Sequence, residues 1–211
     1  VIAGPELALY FALVFGIIVL PGMDMAYVMG HSLVGGLRCG ASAVAGIMAG
    51  GLCHMVLGAA GVAFVVKAVP GLFTAMLLAG AVYVAWIGWS VWRAASAADA
   101  GAAGGPAPAS RGRAFRGAVA TSLLNPKAYL FTLAVMPQFV HPERGGFWVQ
   151  VAELAAVTNV TQAAVYGALA VAASRGGGWL KANPQGRRLL MRVVGAGLVA
   201  TAGFTAWSAV G

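Results

Sequence analysis

Six stretches of the chain are apolar almost without interruption, at roughly residues 5–31, 41–66, 71–92, 115–140, 147–173 and 189–209. Each is about as long as the 20 or so residues that an α-helix needs to cross hydrocarbon. Lipid offers no partner to a free backbone amide, so a span must be a helix or part of a closed barrel. The runs lack the apolar–polar alternation of barrel strands, and helices are predicted for all six. Pro70, Pro142 and Pro184 mark three of the connections. The first run starts too near residue 1 to leave a charged n-region, so a cleaved signal peptide is not expected. The longest connection holds an Ala/Gly/Pro/Ser tract from Ala94 to Ala109 with one acid, Asp99. Such a tract has nothing to bury and reads as a flexible linker.

The linker organises the chain. It reads as one domain over 1–211, with three spans in 1–93, a linker at 94–114 and three spans in 115–211. Three is odd, so the second half enters the membrane from the opposite side. The expected architecture is all-α, with six transmembrane helices arranged as two inverted three-helix repeats. Each half also breaks its first helix, at Leu20-Pro21-Gly22-Met23-Asp24 and at Leu124-Asn125-Pro126-Lys127. Proline lacks an N–H and clashes with the preceding turn, so it opens the helix. Asn125-Pro126 is the N-cap and N1 pair of a restarting helix. A matched pair of interrupted spans in two halves points to a transporter's binding site. The restarted half-helices would present N–H groups and a positive dipole end to a carboxylate.

Composition agrees with a membrane protein. Residues AVILMFWYC make up 61% of the chain and charged residues 9%, against about 25% charged in a soluble domain. A soluble enzyme, a disordered chain and a coiled coil are excluded. The net charge of +8 is mainly a topology signal. Ten of the thirteen cations, from Arg38 through Arg93–Arg116 to Arg175–Arg192, fall on one side of the predicted spans. Lys67 and Arg144 fall on the other, and Lys127 lies within a span. Positive charge marks the inner face, so both termini are expected outside and the 93–114 loop in the cytoplasm. Anionic lipid is then the partner for the cations, and nucleic acid is not. Trp86, Trp89, Trp92, Trp148 and Trp207 suit interfacial belts. Cys39 and Cys53 lie about 21 Å apart along a helix, too far for a disulfide.

Few ionisable residues remain at membrane depth, where a charge costs about 2.5–3.5 kcal/mol on insertion scales and marks function by default. Asp24 and Lys127 each follow a break. They would either flank a zwitterion, with Lys127 on its carboxylate and Asp24 on its ammonium, or form a structural salt bridge. His54 belongs to the row Ser42, Gly46, Gly50, His54, Gly58, whose small residues let two helices approach closely. It is either a hydrogen-bonded interface residue or, with Asp24, a proton-coupling group. Asn159, Gln162 and Tyr166 recur at helical spacing and form a polar stripe, as interhelical glue or as part of a substrate site. No Gly-x-Ser-x-Gly and no P-loop motif occurs, so neither an enzyme nor ATP-driven pumping is expected. No metal site or cofactor is expected either. A divalent-cation exporter stands as the alternative, though one Asp and one His are few ligands for it.

These motifs resemble the LysE/RhtB family of amino-acid exporters. The first half carries the resemblance through Phe15, Leu20-Pro21-Gly22, Asp24, Ser32-x-x-x-Gly36 and Leu78-Ala79-Gly80-Ala81-x-Tyr83-x-x-Trp86-x-Gly88. The second does so through Phe115-Arg116, Leu123-Leu124-Asn125-Pro126-Lys127-Ala128 and Met136-Pro137-Gln138-Phe139-Val140. The resemblance implies proton-motive export of amino acids or close derivatives across a bacterial inner membrane, and it admits a homodimer. It assigns the break residues Pro21, Gly22, Asp24, Asn125, Pro126 and Lys127 to the site. The chain departs from the family pattern at Met23, where a proline is usual, and at Gly51, where an acid is common.

Overall fold

The fold is that of a computed structural model, which describes residues 2–20, 22–61, 75, 78, 81, 82, 85, 86, 88, 89, 92, 93, 110–141, 144 and 146–210. Pro21, Pro70, Pro142, the Ala94–Ala109 tract and most of the third predicted span lie outside the described residues. The architecture is all-helical. Helix α1 runs Gly4–Val19 and α2 runs Met23–Ala59. After the linker come α3 (Arg111–Leu123), α4 (Pro126–Ala134), a short 3-10 turn (Met136–Phe139), α5 (Phe147–Ala182) and α6 (Pro184–Val210).

The first predicted span is divided at its proline–glycine pair, because α1 stops before Pro21 and α2 starts after Gly22. The predicted connection between spans one and two is much shorter than 32–40. It collapses to Gly36, whose φ of 71° and ψ of −175° interrupt α2. Ser32 and Gly40 would be about 12 Å apart along a straight helix. Here a Cβ added at Gly40 would lie 3.0 Å from Cβ of Ser32, so the chain folds back sharply at Gly36. Only glycine takes that positive φ without strain.

In the second half, helix starts ahead of the predicted boundary at 115. Ser110 caps α3 by accepting a hydrogen bond from the Arg113 N–H at 3.2 Å. The predicted span 115–140 is three pieces, since the helix breaks at Leu124-Asn125 and its end tightens into the 3-10 turn around Pro137. Pro184 opens α6 in the first turn, where its missing N–H breaks no helical bond.

Helix α2 is the centre of the packing and contacts both α3 and α5. The small-residue row faces the second half. A Cβ added at Gly46 would lie 2.6 Å from Cβ of Ala118, one at Gly50 2.5 Å from Cβ of Ser122, and one at Gly58 2.5 Å from Cγ2 of Thr132. The absent side chains thus let α2 and the α3–α4 segment touch nearly backbone to backbone. Tyr10 and Val14 of α1, Ile47 and Met55 of α2, and Leu154 and Tyr166 of α5 fill the core. The Tyr10 ring meets Phe131 and Phe139 at centroid distances of 5.7 and 5.2 Å. Large apolar side chains such as Leu9, Phe11, Val160 and Trp207 are exposed, the distribution expected where lipid is the solvent.

One end of α1 is tied to the segment before α5. Glu6 accepts hydrogen bonds from Nη1 of Arg144 at 2.9 and 3.1 Å, and His141 Nε2 stands 3.7 Å away. Gln150 holds the backbone of His141 with both ends of its amide, accepting from N at 2.8 Å and donating to O at 3.0 Å.

Candidate functional site

The two helix breaks meet at one cavity. At the second break, Asn125 Oδ1 accepts from the Lys127 N–H at 3.0 Å, and Pro126 sits in the first turn of α4. The N–H groups of Ala128 and Tyr129 point at the Asn125 carbonyl, at 3.1 and 3.3 Å. The first-turn donors of α4 are therefore met within the turn, unlike the open N–H groups that the sequence suggests. What α4 offers a ligand is the positive end of its dipole, the Asn125 amide nitrogen and the Lys127 ammonium. Asn125 is buried, and its Nδ2 has no hydrogen-bond partner.

Lys127 joins the two breaks. Its Nζ donates to the carbonyl oxygens of Ile17 at 2.8 Å and Leu20 at 2.9 Å. Carbonyls at a helix C-terminus lack intrahelical partners, and a cation there is favoured by the dipole. A Cβ at Gly22 would lie 3.3 Å from that ammonium, so the glycine leaves Lys127 room to reach α1. An ammonium carries three donors. Two go to α1, and one is left for the cavity.

Asp24 lies in the first turn of α2, where a carboxylate is favoured by the helix dipole. It is 4% exposed, and its Oδ1 has no hydrogen-bond partner. Asp24 and Lys127 thus stand on one cavity, with the lysine anchored to backbone carbonyls.

The cavity is small, about 50 Å³, and is open on one side. Asp24, His54, Asn125, Lys127, Gln162 and Tyr166 line it, with Gly51 between them and apolar wall from Val14, Ile18, Met55 and Phe131. His54 is buried, and its Nε2 donates to the carbonyl of Ser122 at 2.8 Å. A carbonyl only accepts, so the ring proton sits on Nε2. The His54 ring also meets Tyr129 edge-on at 4.5 Å. Gln162 is buried with its Oε1 unpartnered, and its amide lies over Gly51, where an added Cβ would be 3.0 Å from that oxygen.

Most residues singled out in the sequence are placed together here. Asn159 is not among those lining the cavity. Its Nδ2 donates back to the Ala155 carbonyl at 2.9 Å along its own helix. Pro21 lies outside the described residues. The lining also includes Thr132 and Thr158, which were not assigned to the site. Thr158 could have been found, because Thr158, Gln162 and Tyr166 form a strict i, i+4 row. The Thr158 hydroxyl donates to the Leu154 carbonyl at 2.9 Å and pairs with the Tyr10 hydroxyl at 2.9 Å. Among the described residues no group of three His, Cys, Asp or Glu side chains is placed to hold a metal ion.

The LysE type translocator family model matches residues 15–208, and the chain belongs to that family. It is a membrane protein whose described residues include two helices long and apolar enough to cross a bilayer. It is 33% identical over 129 residues to an uncharacterized membrane protein of Pseudomonas aeruginosa, covering 60% of each chain. It is 33% identical over 169 residues to a homoserine/homoserine lactone efflux protein of Salmonella typhi, covering 80% of this chain and 81% of the relative. A leucine efflux protein of Klebsiella pneumoniae is 34% identical over 125 residues, covering 59% of this chain and 58% of the relative. The chain therefore spans less than two thirds of the first and third of these relatives. No solved structure matches the chain.

Proposed function

We propose that the protein is a secondary active exporter of amino acids or close derivatives in the bacterial inner membrane, driven by the proton-motive force. The observation that carries this reading is the meeting of a buried carboxylate, Asp24, with the Asn125–Lys127 start of α4 on a single cavity. A zwitterion needs one acceptor site and one donor site a few ångströms apart. Asp24 takes the ammonium group, and Asn125 Nδ2 with the third donor of Lys127 takes the carboxylate. The efflux activities named for two of the relatives support the same substrate class.

In this reading Asp24 carries the coupling proton, with His54 as the second candidate. Protonation of Asp24 and binding of an ammonium group at Oδ1 compete, which is the exchange an antiporter requires. The two helix-break halves, 1–93 and 115–211, rock against each other as inverted repeats, with the linker cytoplasmic and both termini outside. Anionic lipid contacts the arginine-rich face, and a second copy of the chain completes a homodimer.

The test is a growth screen in excess single amino acids, with internal pools measured beside it. Cells that express the protein are expected to hold lower pools of the substrate than cells without it. An uncoupler should abolish the difference, and removal of ATP alone should leave it. Equal pools for every amino acid would overturn the proposal.

A further inference from the structure

The cavity contains more than the two charged groups, and its remaining chemistry bears on which amino acid it takes; this inference rests on the exporter reading above. Three buried polar atoms around it make no close hydrogen bond, Asp24 Oδ1, Gln162 Oε1 and Asn125 Nδ2, and the Asn125 amide lies toward the Asp24 carboxyl. Their residues are 4%, 7% and 2% exposed. Two of the atoms accept hydrogen bonds and one donates. Native proteins leave few buried polar atoms unsatisfied, and three on one cavity match a ligand that brings two donors and one acceptor. An α-ammonium group supplies the donors and an α-carboxylate the acceptor.

We infer that the cavity selects amino acids whose side chain is uncharged and aliphatic, with Gln162 as a specificity residue beside Asp24. The ammonium group is held between Asp24 Oδ1 and Gln162 Oε1. The carboxylate lies toward Asn125 Nδ2 and Lys127. The side chain then meets Val14, Ile18, Met55 and Phe131, which form the apolar wall. Asp24 is the one carboxylate among the lining residues and is used by the α-ammonium group, so a second cationic group has no counter-charge. An acidic side chain would place a second anion beside Asp24. A hydroxyl on the side chain would be desolvated against Val14 and Met55, although an apolar wall rejects an added hydroxyl by only about a hundredfold. Gly51 is part of the device, because the Gln162 amide occupies the position that a Cβ at 51 would contest.

The test uses the full chain, purified and reconstituted in liposomes loaded with radiolabelled leucine. Unlabelled leucine, homoserine, lysine and glutamate are compared as competitors. Leucine is expected to compete best, homoserine about ten- to a hundredfold less well, and lysine and glutamate not at all at a hundredfold excess. Gln162→Leu should raise the KM for leucine by about tenfold or more, with the loss in KM rather than in kcat. Gln162→Glu keeps the shape, adds a second carboxylate next to Asp24, and is expected to make lysine a competitor. Competition by lysine or glutamate equal to that of leucine in the wild type would overturn the inference and leave the exporter reading standing. So would a Gln162→Glu protein that still moves leucine and still ignores lysine. If no amino acid of any class moves, the exporter reading itself fails and this inference falls with it.

Discussion

Asp24→Asn is expected to remove substrate transport while leaving the protein nearly as stable as before. The substitution keeps the shape of the side chain and removes its charge. In the loaded state the ammonium group then loses its counter-ion. Truncating one partner of a buried, hydrogen-bonded charge pair costs about 2–5 kcal/mol. At 1.4 kcal/mol per tenfold, that is roughly thirty- to several-thousandfold in affinity. In the empty state the same change costs the fold little, because Asp24 is buried and its Oδ1 has no close hydrogen-bond partner. Burial disfavours the charge while the α2 dipole and the Lys127 ammonium on the same cavity favour it, so the two effects largely offset. Transport is read from initial rates of substrate counterflow, and stability from the melting temperature in detergent. A fall in melting temperature with a parallel fall in transport would make Asp24 a structural residue.

Lys127→Met is expected to lower transport and stability together. The Lys127 ammonium is bonded to the Ile17 and Leu20 carbonyls at the end of α1. Hydrogen bonds to a charged group are each worth about 1.5–3 kcal/mol, and methionine has no donor to replace them. The last turn of α1 would lose its cap, and the cavity would lose the Lys127 cation. Lys127→Arg keeps the charge and should recover part of the stability but less of the transport, since a planar guanidinium does not reproduce the position of an ammonium. The contrast with Asp24→Asn separates two accounts of the pair. If Asp24 and Lys127 formed a structural salt bridge, removing either partner would destabilise by about 3–5 kcal/mol. In the arrangement observed, only the lysine substitution does so.

Much of this was legible along the chain because the chemistry is local. Proline cannot continue a helix, and Asn125 caps whatever follows it, so both breaks could be placed to within a few residues. The Gly46, Gly50 and Gly58 row could be read as a contact face because helix geometry alone puts those residues on one side. The fold-back at Gly36 was not legible. Gly35 and Gly36 are adjacent and either could turn, and the positive φ falls on Gly36 only once the chain is packed. The facing of α5 was legible only in part. Residues 158 and 159 differ by about 100° around a helix, so a stripe through Gln162 and Tyr166 is consistent with either. Tertiary packing puts Thr158 on the cavity and leaves Asn159 to bond its own helix. The anchoring of Lys127 to α1 was hidden for another reason, since it joins residues more than a hundred positions apart.

The central claim is that Asp24 holds the ammonium group of a bound zwitterion at the meeting of the two breaks. The most direct measurement is a solid-state NMR distance between the amino nitrogen of 15N-labelled leucine and the 13C-labelled carboxyl carbon of Asp24, in the reconstituted protein. A charge-assisted hydrogen bond has a nitrogen–oxygen distance of about 2.7–2.9 Å, so a strong dipolar coupling across roughly 3–4 Å is expected. Bound leucine that shows no coupling to Asp24 would contradict the account.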